Sequence, residues 1–409
     1  MRYGLMGVDF EDRVNYERLR NERLEKAREQ LKVYNLGAFL CYDFDNIRYI
    51  TGTHIGEWAR NKMTRYTILP ENGSPQLYDP ATPAKKISSP WIADSVHPSV
   101  GSMRGAVPSE HGNVENIASE VKQTLQEFGV ENKSVGVDIM DIPLIRALEN
   151  EGIEVVDGQQ AMLDARMIKT QDEIELLKTA AAMVDATYGE IARAIKPGVR
   201  ENDLVSIANK ELYAMGSDLV ECVNSVSGSR GQPHPHVFSD RMIRPGDMVY
   251  LDIMHSFNGY RTCYYRTFVC GQPTKAQEEA YEKAYKWLRA SIEAVKPGAT
   301  SSDIAKCWPP AEEIGLKDEK EAYLLQFGHG IGMSIWEKPV FSRLFMDKPF
   351  EIKEGMVFAL ETYCPSADGN GGARIEDEVV VTKDGCEVIT KFPSNELISC
   401  GLPGSKAYL

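Results

Sequence analysis

Five side chains carry groups that could do chemistry together: Asp252 in MVYLDIM, Cys263 in NGYRTCYYRTF, His329 in FGHGIG, Glu361 in FALETY and Glu376 in ARIEDEVVV. The three acids each interrupt an apolar run of strand character. An ionised carboxylate in such a run is costly unless it is paired, hydrogen-bonded or bound to a metal. Taken singly, each reads as an edge-strand acid facing water. Three of them beside a histidine flanked by glycines, which let backbone approach a ligand closely, read as one site. Aromatic residues add a second chemistry. Trp58, Trp336, Tyr264 and Tyr265 could cage a cationic group through cation–π contact, with ordinary core packing as the alternative.

These residues need elements to hold them. Asp252 falls in a strand, and an Asn-Gly turn signal at Asn258 leads to a second strand carrying Cys263. His255 falls three residues after Asp252, which points it to the opposite strand face and gives it a structural role. An internal echo organises this half of the chain. AIKPGVRENDLVSIA begins at Ala194 and AVKPGATSSDIAKCW at Ala294, 100 residues apart. RPGDMVYLDI and KEGMVFALET follow in the same order, with Gly246 and Gly355 109 apart and Asp252 and Glu361 also 109 apart. Each half therefore runs helix, KPG turn, helix and an acid-bearing strand. A duplicated unit with a pseudo-two-fold axis would bring the two acids together.

Upstream, residues 12–32 read as a charged surface helix. LGAFLCYDFDNIRYITG reads as strands and turns, and TRYTILPENGSPQLYDP continues that pattern. NVENIASEVKQTLQEFG reads as a helix and KSVGVDIM as a strand. TQDE at Thr170 forms a capping box that opens a long helix. The boundary falls near Arg166, giving an α/β domain over 1–165 and a second domain over 166–409. With 409 residues the chain is long enough for two well-buried cores. Hydrophobic residues are 43% and charged residues 26%, the balance of a globular protein. A net charge of -14 argues against a nucleic-acid partner. No apolar run approaches the ~20 residues of a membrane helix. The eight cysteines include no CxxC pair, which fits free thiols in a reducing cytoplasm.

The join ARMIKTQDEIELLKTAA, the stretch NIRYITG and the five sites in order resemble the pita-bread family of creatinase, prolidase, aminopeptidase P and methionine aminopeptidase. The resemblance covers nearly the whole chain. It implies an α+β fold, a pita-bread C-terminal domain with a pseudo-two-fold repeat behind a smaller creatinase-type α/β domain, and a homodimer. Metal-dependent members carry ligands in the order Asp, Asp, His, Glu, Glu, matching Asp252, Cys263, His329, Glu361 and Glu376. Cys263 stands where a carboxylate would bridge two ions. A thiolate is soft and favours zinc, whereas a carboxylate suits manganese. The exchange favours either no metal or a single divalent ion (zinc, iron or manganese) over a dinuclear site.

Two further departures matter. Family peptidases carry a second histidine in HGIGLEIHEKP-like text, and here HGIGMSIWEKP has Trp336 in its place. An indole cannot shuttle protons at neutral pH. The loop before Asp252, in which creatinase keeps a proton-moving histidine, offers His234 and His236, and PHVFSDR sets His236 nearer that position. SGSRGQP and EDEVVVTKDGCEVITKFPSNELI resemble the bacterial branch that includes dimethylsulfoniopropionate lyase, but the acid that serves that lyase as base is missing. The expectation is an enzyme acting on a small polar or zwitterionic compound, by hydrolysis of a C–N bond or by elimination. His236 or His234 moves the proton, and Glu361 and Glu376 orient water or bind a cationic group. The alternatives are an Xaa-Pro peptidase with an altered metal site, and a non-catalytic binding module.

Overall fold

The computed structural model describes residues 14–56, 63–232 and 235–402. They divide into two compact units, with the division between Arg166 and Met167.

The first unit is built on one sheet of six strands: β1 (Ala38–Cys41), β2 (Tyr66–Pro70), β3 (Gln76–Tyr78), β4 (Val96–His97), β5 (Val135–Val137) and β6 (Val155–Asp157), in the order β4-β3-β2-β1-β5-β6. Its helices are α1 (Tyr16–Val33), α2 (Phe44–Thr51), α3 (Thr82–Ser88), α4 (Asn113–Glu127), α5 (Ile142–Asn150) and α6 (Gln159–Met167). Every residue of β1 is buried, as a central strand requires. Ile117, Val121 and Leu125 of α4 pack with Leu40, Ile68 and Val135 of the sheet. One sequence expectation is corrected. DNIRYIT is a helix and not a strand. Asp43 caps α2 by accepting from the Asp45 amide at 2.8 Å, and Gly52 closes it at φ 68°. Ile47 and Ile50 recur at i, i+3, the spacing of a buried helical face.

The second unit begins with α7 (Gln171–Ala194). Its capping box is the one read at Thr170: the Thr170 amide donates to Glu173 Oε2 at 2.8 Å, and Thr170 Oγ1 accepts from the Glu173 amide. Then come α8 (Glu201–Ala214), β7 (Leu219–Ser227), β8 (Met248–Phe257), β9 (Tyr260–Cys270), α9 (Lys275–Ala294), α10 (Ser301–Ala305) and α11 (Glu319–Ala322). The remaining strands are β10 (Phe327–Gly330), β11 (Glu337–Ser342), β12 (Val357–Pro365), β13 (Gly372–Val381), β14 (Cys386–Val388) and β15 (Ile398–Cys400). They form two sheets, β11-β10-β12-β13-β14 and β15-β9-β8-β7.

The internal echo is physical. In each half the KPG turn closes on the chain entering the acid-bearing strand. The Gly198 amide donates to Ile243 O at 2.9 Å, and the Gly298 amide to Ile352 O at 3.0 Å. The reciprocal bonds, Ile243 to Val199 and Ile352 to Ala299, are 2.8 and 2.9 Å. Gly246 and Gly355 follow at φ 85° and 82°, where a side chain would be strained.

Strand alternation then decides what faces what. Val249, Leu251 and Ile253 of β8 pack with Tyr188 and Leu204 of α7 and α8. Phe358 and Leu360 of β12, with Ile375 and Val379 of β13, pack with Ala284 and Leu288 of α9. The opposite faces carry Asp252, Glu361 and Glu376. They are brought together where β9 meets β13. Thr267 Oγ1 donates to Arg374 O at 2.6 Å and accepts from the Arg374 amide at 2.9 Å.

Candidate metal centre

Asp252, Cys263, His329, Glu361 and Glu376 come together in one buried cluster, none more than 5% exposed. Glu361 and Glu376 are directly opposite each other across β12 and β13. Cys263 Sγ donates to Asp252 Oδ1 at 3.4 Å, and Asn224 Nδ2 donates to Asp252 Oδ2 at 3.2 Å. Cys263 Sγ, a His329 ring nitrogen and a Glu376 oxygen lie within 4.8 Å of one another.

His329 is oriented by its own turn. Its Nδ1 lies 3.0 Å from Gly330 O. A ring nitrogen bonded to a carbonyl must carry the proton, so Nε2 presents its lone pair. That lone pair points at acids: Nε2 lies 3.9 Å from Glu361 Oε1 and 3.8 Å from Glu376 Oε1. Both separations are too long for hydrogen bonds. Both suit two atoms that share an ion at roughly 2.0–2.2 Å each. His329 Nε2 and both Glu376 oxygens are buried without a hydrogen-bond partner. Buried polar atoms are normally satisfied, so unpartnered atoms on two residues this close together mark a place for a bound group. The donor set of sulfur, nitrogen and oxygen fits zinc or iron best.

The electrostatics agree. Burial, then repulsion from Glu376, pushes the Glu361 carboxyl well above the ordinary range, with Arg374 and His329 opposing. Burial and then the Asp252 charge do the same to Glu376. Burial raises Asp252, offset by hydrogen bonds from Tyr265, Cys263 and Asn224. Burial and the neighbouring Asp252 raise the Cys263 thiol. Burial lowers His329. Without a cation these groups oppose one another's ionisation.

Residues that sequence reading did not single out complete the site. Arg374, fully buried, donates to Glu361 Oε2 and to the carbonyls of Leu324 and Leu325. Its guanidinium stacks 4.6 Å over the Tyr265 ring. It neutralises one Glu361 oxygen and leaves the other facing His329. Glu378 accepts from the Cys263 amide at 2.7 Å and from Thr262 Oγ1 at 2.9 Å. Period-two alternation in ARIEDE puts Arg374, Glu376 and Glu378 on one face, a signal present in the sequence. Glu378 holds the backbone that aims the thiol. Glu378→Ala is expected to cost about 1–3 kcal/mol in unfolding free energy, because two buried donors lose their acceptor. It should also weaken the near-ultraviolet thiolate-to-cobalt absorption of cobalt-loaded protein, and Glu378→Gln should recover most of that band.

The other predicted site residues scatter. Tyr265 lines the cluster. Tyr264 does not, because adjacent strand residues face opposite ways. Its ring packs 5.1 Å from Tyr188 in the helix-covered core, and its hydroxyl donates to Asp185 at 2.6 Å. This corrects its assignment to a substrate cage. Trp336 lies at the rim, 52% exposed, with its ring 4.7 Å from that of His329. His236 lies on the exposed loop between β7 and β8. Surrounding protein and then the Arg374 charge lower its pKa to about 4. The ring is therefore neutral at pH 7. His255, as expected, points away, with Nε2 2.9 Å from Ala180 O. His234 and Trp58 lie outside the described residues.

A family model described as Metallopeptidase family M24 matches residues 175–383. "Probable dipeptidase PepE" of Mycobacterium tuberculosis is 32% identical over 261 residues, 63% of this chain and 66% of that protein. An Xaa-Pro dipeptidase of Pyrococcus furiosus is 31% identical over 232 residues, 56% of this chain and 64% of that protein. The chain thus spans just under two thirds of the length of these relatives. Among solved structures, prolidase from Thermococcus sibiricus superimposes with a TM-score of 0.77 at 22% identity, covering 94% of this chain and 99% of that one. Dipeptidase PepE from Mycobacterium ulcerans gives 0.74 at 25% identity, covering 95% of this chain and 100% of that one.

Proposed function

This chain belongs to metallopeptidase family M24, and from that membership and its site we propose a metal-dependent hydrolase of dipeptides or similarly small amides. The relatives' names favour this peptidase reading over the creatinase-like hydrolysis or elimination expected from the sequence. The observation that carries the reading is the convergence of a His329 ring nitrogen, a Glu376 oxygen and the Cys263 thiol within 4.8 Å, with His329 Nε2 and both Glu376 oxygens buried and unpartnered. Cys263, His329 and Glu376 would hold one divalent ion, with Asp252 and Glu361 beside them. An ion there supplies Lewis acidity toward a carbonyl and toward water.

The protein supplies the rest. Arg374 fixes Glu361 by binding one oxygen, so the other keeps its direction toward His329. Glu376 holds a proton only while no ion is bound, since burial and the Asp252 charge favour the neutral carboxyl and an ion displaces that proton. We assign to His236, neutral at pH 7 and near enough to Arg374 for that charge to lower its pKa, the role of accepting a proton or hydrogen bond from substrate. Burial keeps bulk water from Arg374, Glu361 and Glu376, which strengthens the contacts among them.

Chelation should abolish turnover of a dipeptide panel, and zinc, iron or manganese should restore it. Protein that binds no ion and hydrolyses no dipeptide under any of these conditions would sink the reading. His236→Ala is expected to lose ~10²–10⁴ in turnover, as for loss of a general acid or base. Its melting temperature should stay within about 1 °C of the parent, since an exposed loop residue contributes little to stability. Unchanged turnover would remove His236 from the mechanism.

A further inference from the structure

The centre is asymmetric. On one side it meets charge and hydrogen-bonding groups, Asp252, Tyr265 and Arg374. On the other, the β10–β11 hairpin raises an apolar lip. Phe327 sits directly opposite Glu361 across β10 and β12. The Trp336 ring stacks on Phe327 at 5.8 Å with 23° between planes, and tilts over His329 at 4.7 Å. Val340, the cross-strand partner of His329, is 36% exposed, and Leu324, whose carbonyl anchors Arg374, is 43% exposed. Trp336 itself is 52% exposed. Burying such a face against an apolar group is favourable at ~25 cal/mol per Å².

Trp336 is held there by a built support. The chain turns through Gly332, where a Cβ would meet Glu337 Oε2 at 2.6 Å. Glu337 Oε1 accepts from the Ser334 amide at 3.2 Å, and Glu337 Oε2 accepts from Lys169 Nζ at 2.7 Å in a fully buried ion pair. A loose surface tryptophan would have no need of this anchoring. Its place beside the ring of His329 gives it a view of the reacting group.

We propose that Trp336 is a specificity-determining residue, whose exposed face receives an uncharged apolar or aromatic side chain next to the bond that is broken. This rests on the hydrolase reading above. A cationic side chain fits less well, because Trp336 rests on Phe327, and Val340, the exposed cross-strand partner of His329, carries no charge either. An acidic side chain fits least, beside a cluster of carboxylates.

The test uses the metal-loaded full chain in two arms. In the first, kcat/KM is measured for Phe-Pro, Leu-Pro, Gly-Pro, Lys-Pro and Asp-Pro. Phe and Leu should exceed Gly and Asp by at least about tenfold, within the range that an apolar pocket can discriminate. Trp336→Ala should collapse the Phe-to-Gly ratio below about threefold, mainly through KM, and Trp336→Phe should preserve most of it. In the second arm, tryptophan fluorescence is titrated with phenylalanine amide and with glycine amide. Phenylalanine amide should quench the parent and leave Trp336→Phe unchanged. Quenching without hydrolysis of any dipeptide would keep the apolar wall and overturn the reaction. Equal kcat/KM across the panel, or a preference for Lys-Pro, or quenching unaltered in Trp336→Phe, would overturn the wall. If Trp336→Ala does not fold, Trp336→Phe and the fluorescence arm still decide the matter.

Discussion

His329→Ala is expected to lose about 10³-fold or more in hydrolysis, roughly 4 kcal/mol in the barrier. Nε2 is the single neutral nitrogen donor in a cluster that is otherwise thiol and carboxylate, and its lone pair is aimed by the Nδ1 bond to Gly330. Removing it takes away an ion ligand and leaves the acids to repel one another. The ring also stacks 5.5 Å from Phe327, so some stability goes with it. His329→Gln separates the two effects, because it fills the space without restoring the imidazole donor. Metal content, turnover and melting temperature should be read on both variants. Near-normal turnover with normal metal content in either one would remove His329 from the centre.

The second large effect is on stability. Lys169 and Glu337 form an ion pair with side chains 1% and 0% exposed. Lys169→Met leaves Glu337 as an uncompensated buried charge and is expected to cost about 3–5 kcal/mol. The Lys169→Met, Glu337→Leu double variant should regain most of that, since replacing both partners by apolar groups is often neutral. Urea denaturation checks both. Equal costs for the single and double variants would show that packing, not the unpaired charge, dominates. Because Glu337 also holds Ser334, the single variant should loosen the Trp336 segment and narrow the substrate preference proposed above.

Much of the second unit was legible because its strands are apolar runs interrupted by single acids, and because they repeat. GDMVYLD and GMVFALE announced β8 and β12, and the repeat predicted that Asp252 and Glu361 would share a site. The KPG turns marked equivalent places in the two halves, and the bonds by which they close each half emerged only in the fold. The site was less legible where chemistry depends on pairing across strands distant in sequence. Arg374 reads as an ordinary strand polar residue until Glu361 is seen opposite its neighbours, 13 residues away. Glu378 meets Cys263 from 115 residues away. Tyr264 was grouped with Tyr265 because they are adjacent, although the same alternation that set His255 apart from Asp252 separates them. In the first unit DNIRYIT misled because Ile and Tyr favour strands. Capping by Asp43 and the αL glycine at Gly52 outweighed that preference.

Metal stoichiometry of the purified chain, combined with the absorption spectrum of its cobalt form, tests the central claim most directly. The account predicts about one divalent ion per chain and a near-ultraviolet thiolate-to-cobalt band that disappears in Cys263→Ser. Two tightly bound ions per chain, or one ion with no thiolate band, would contradict it.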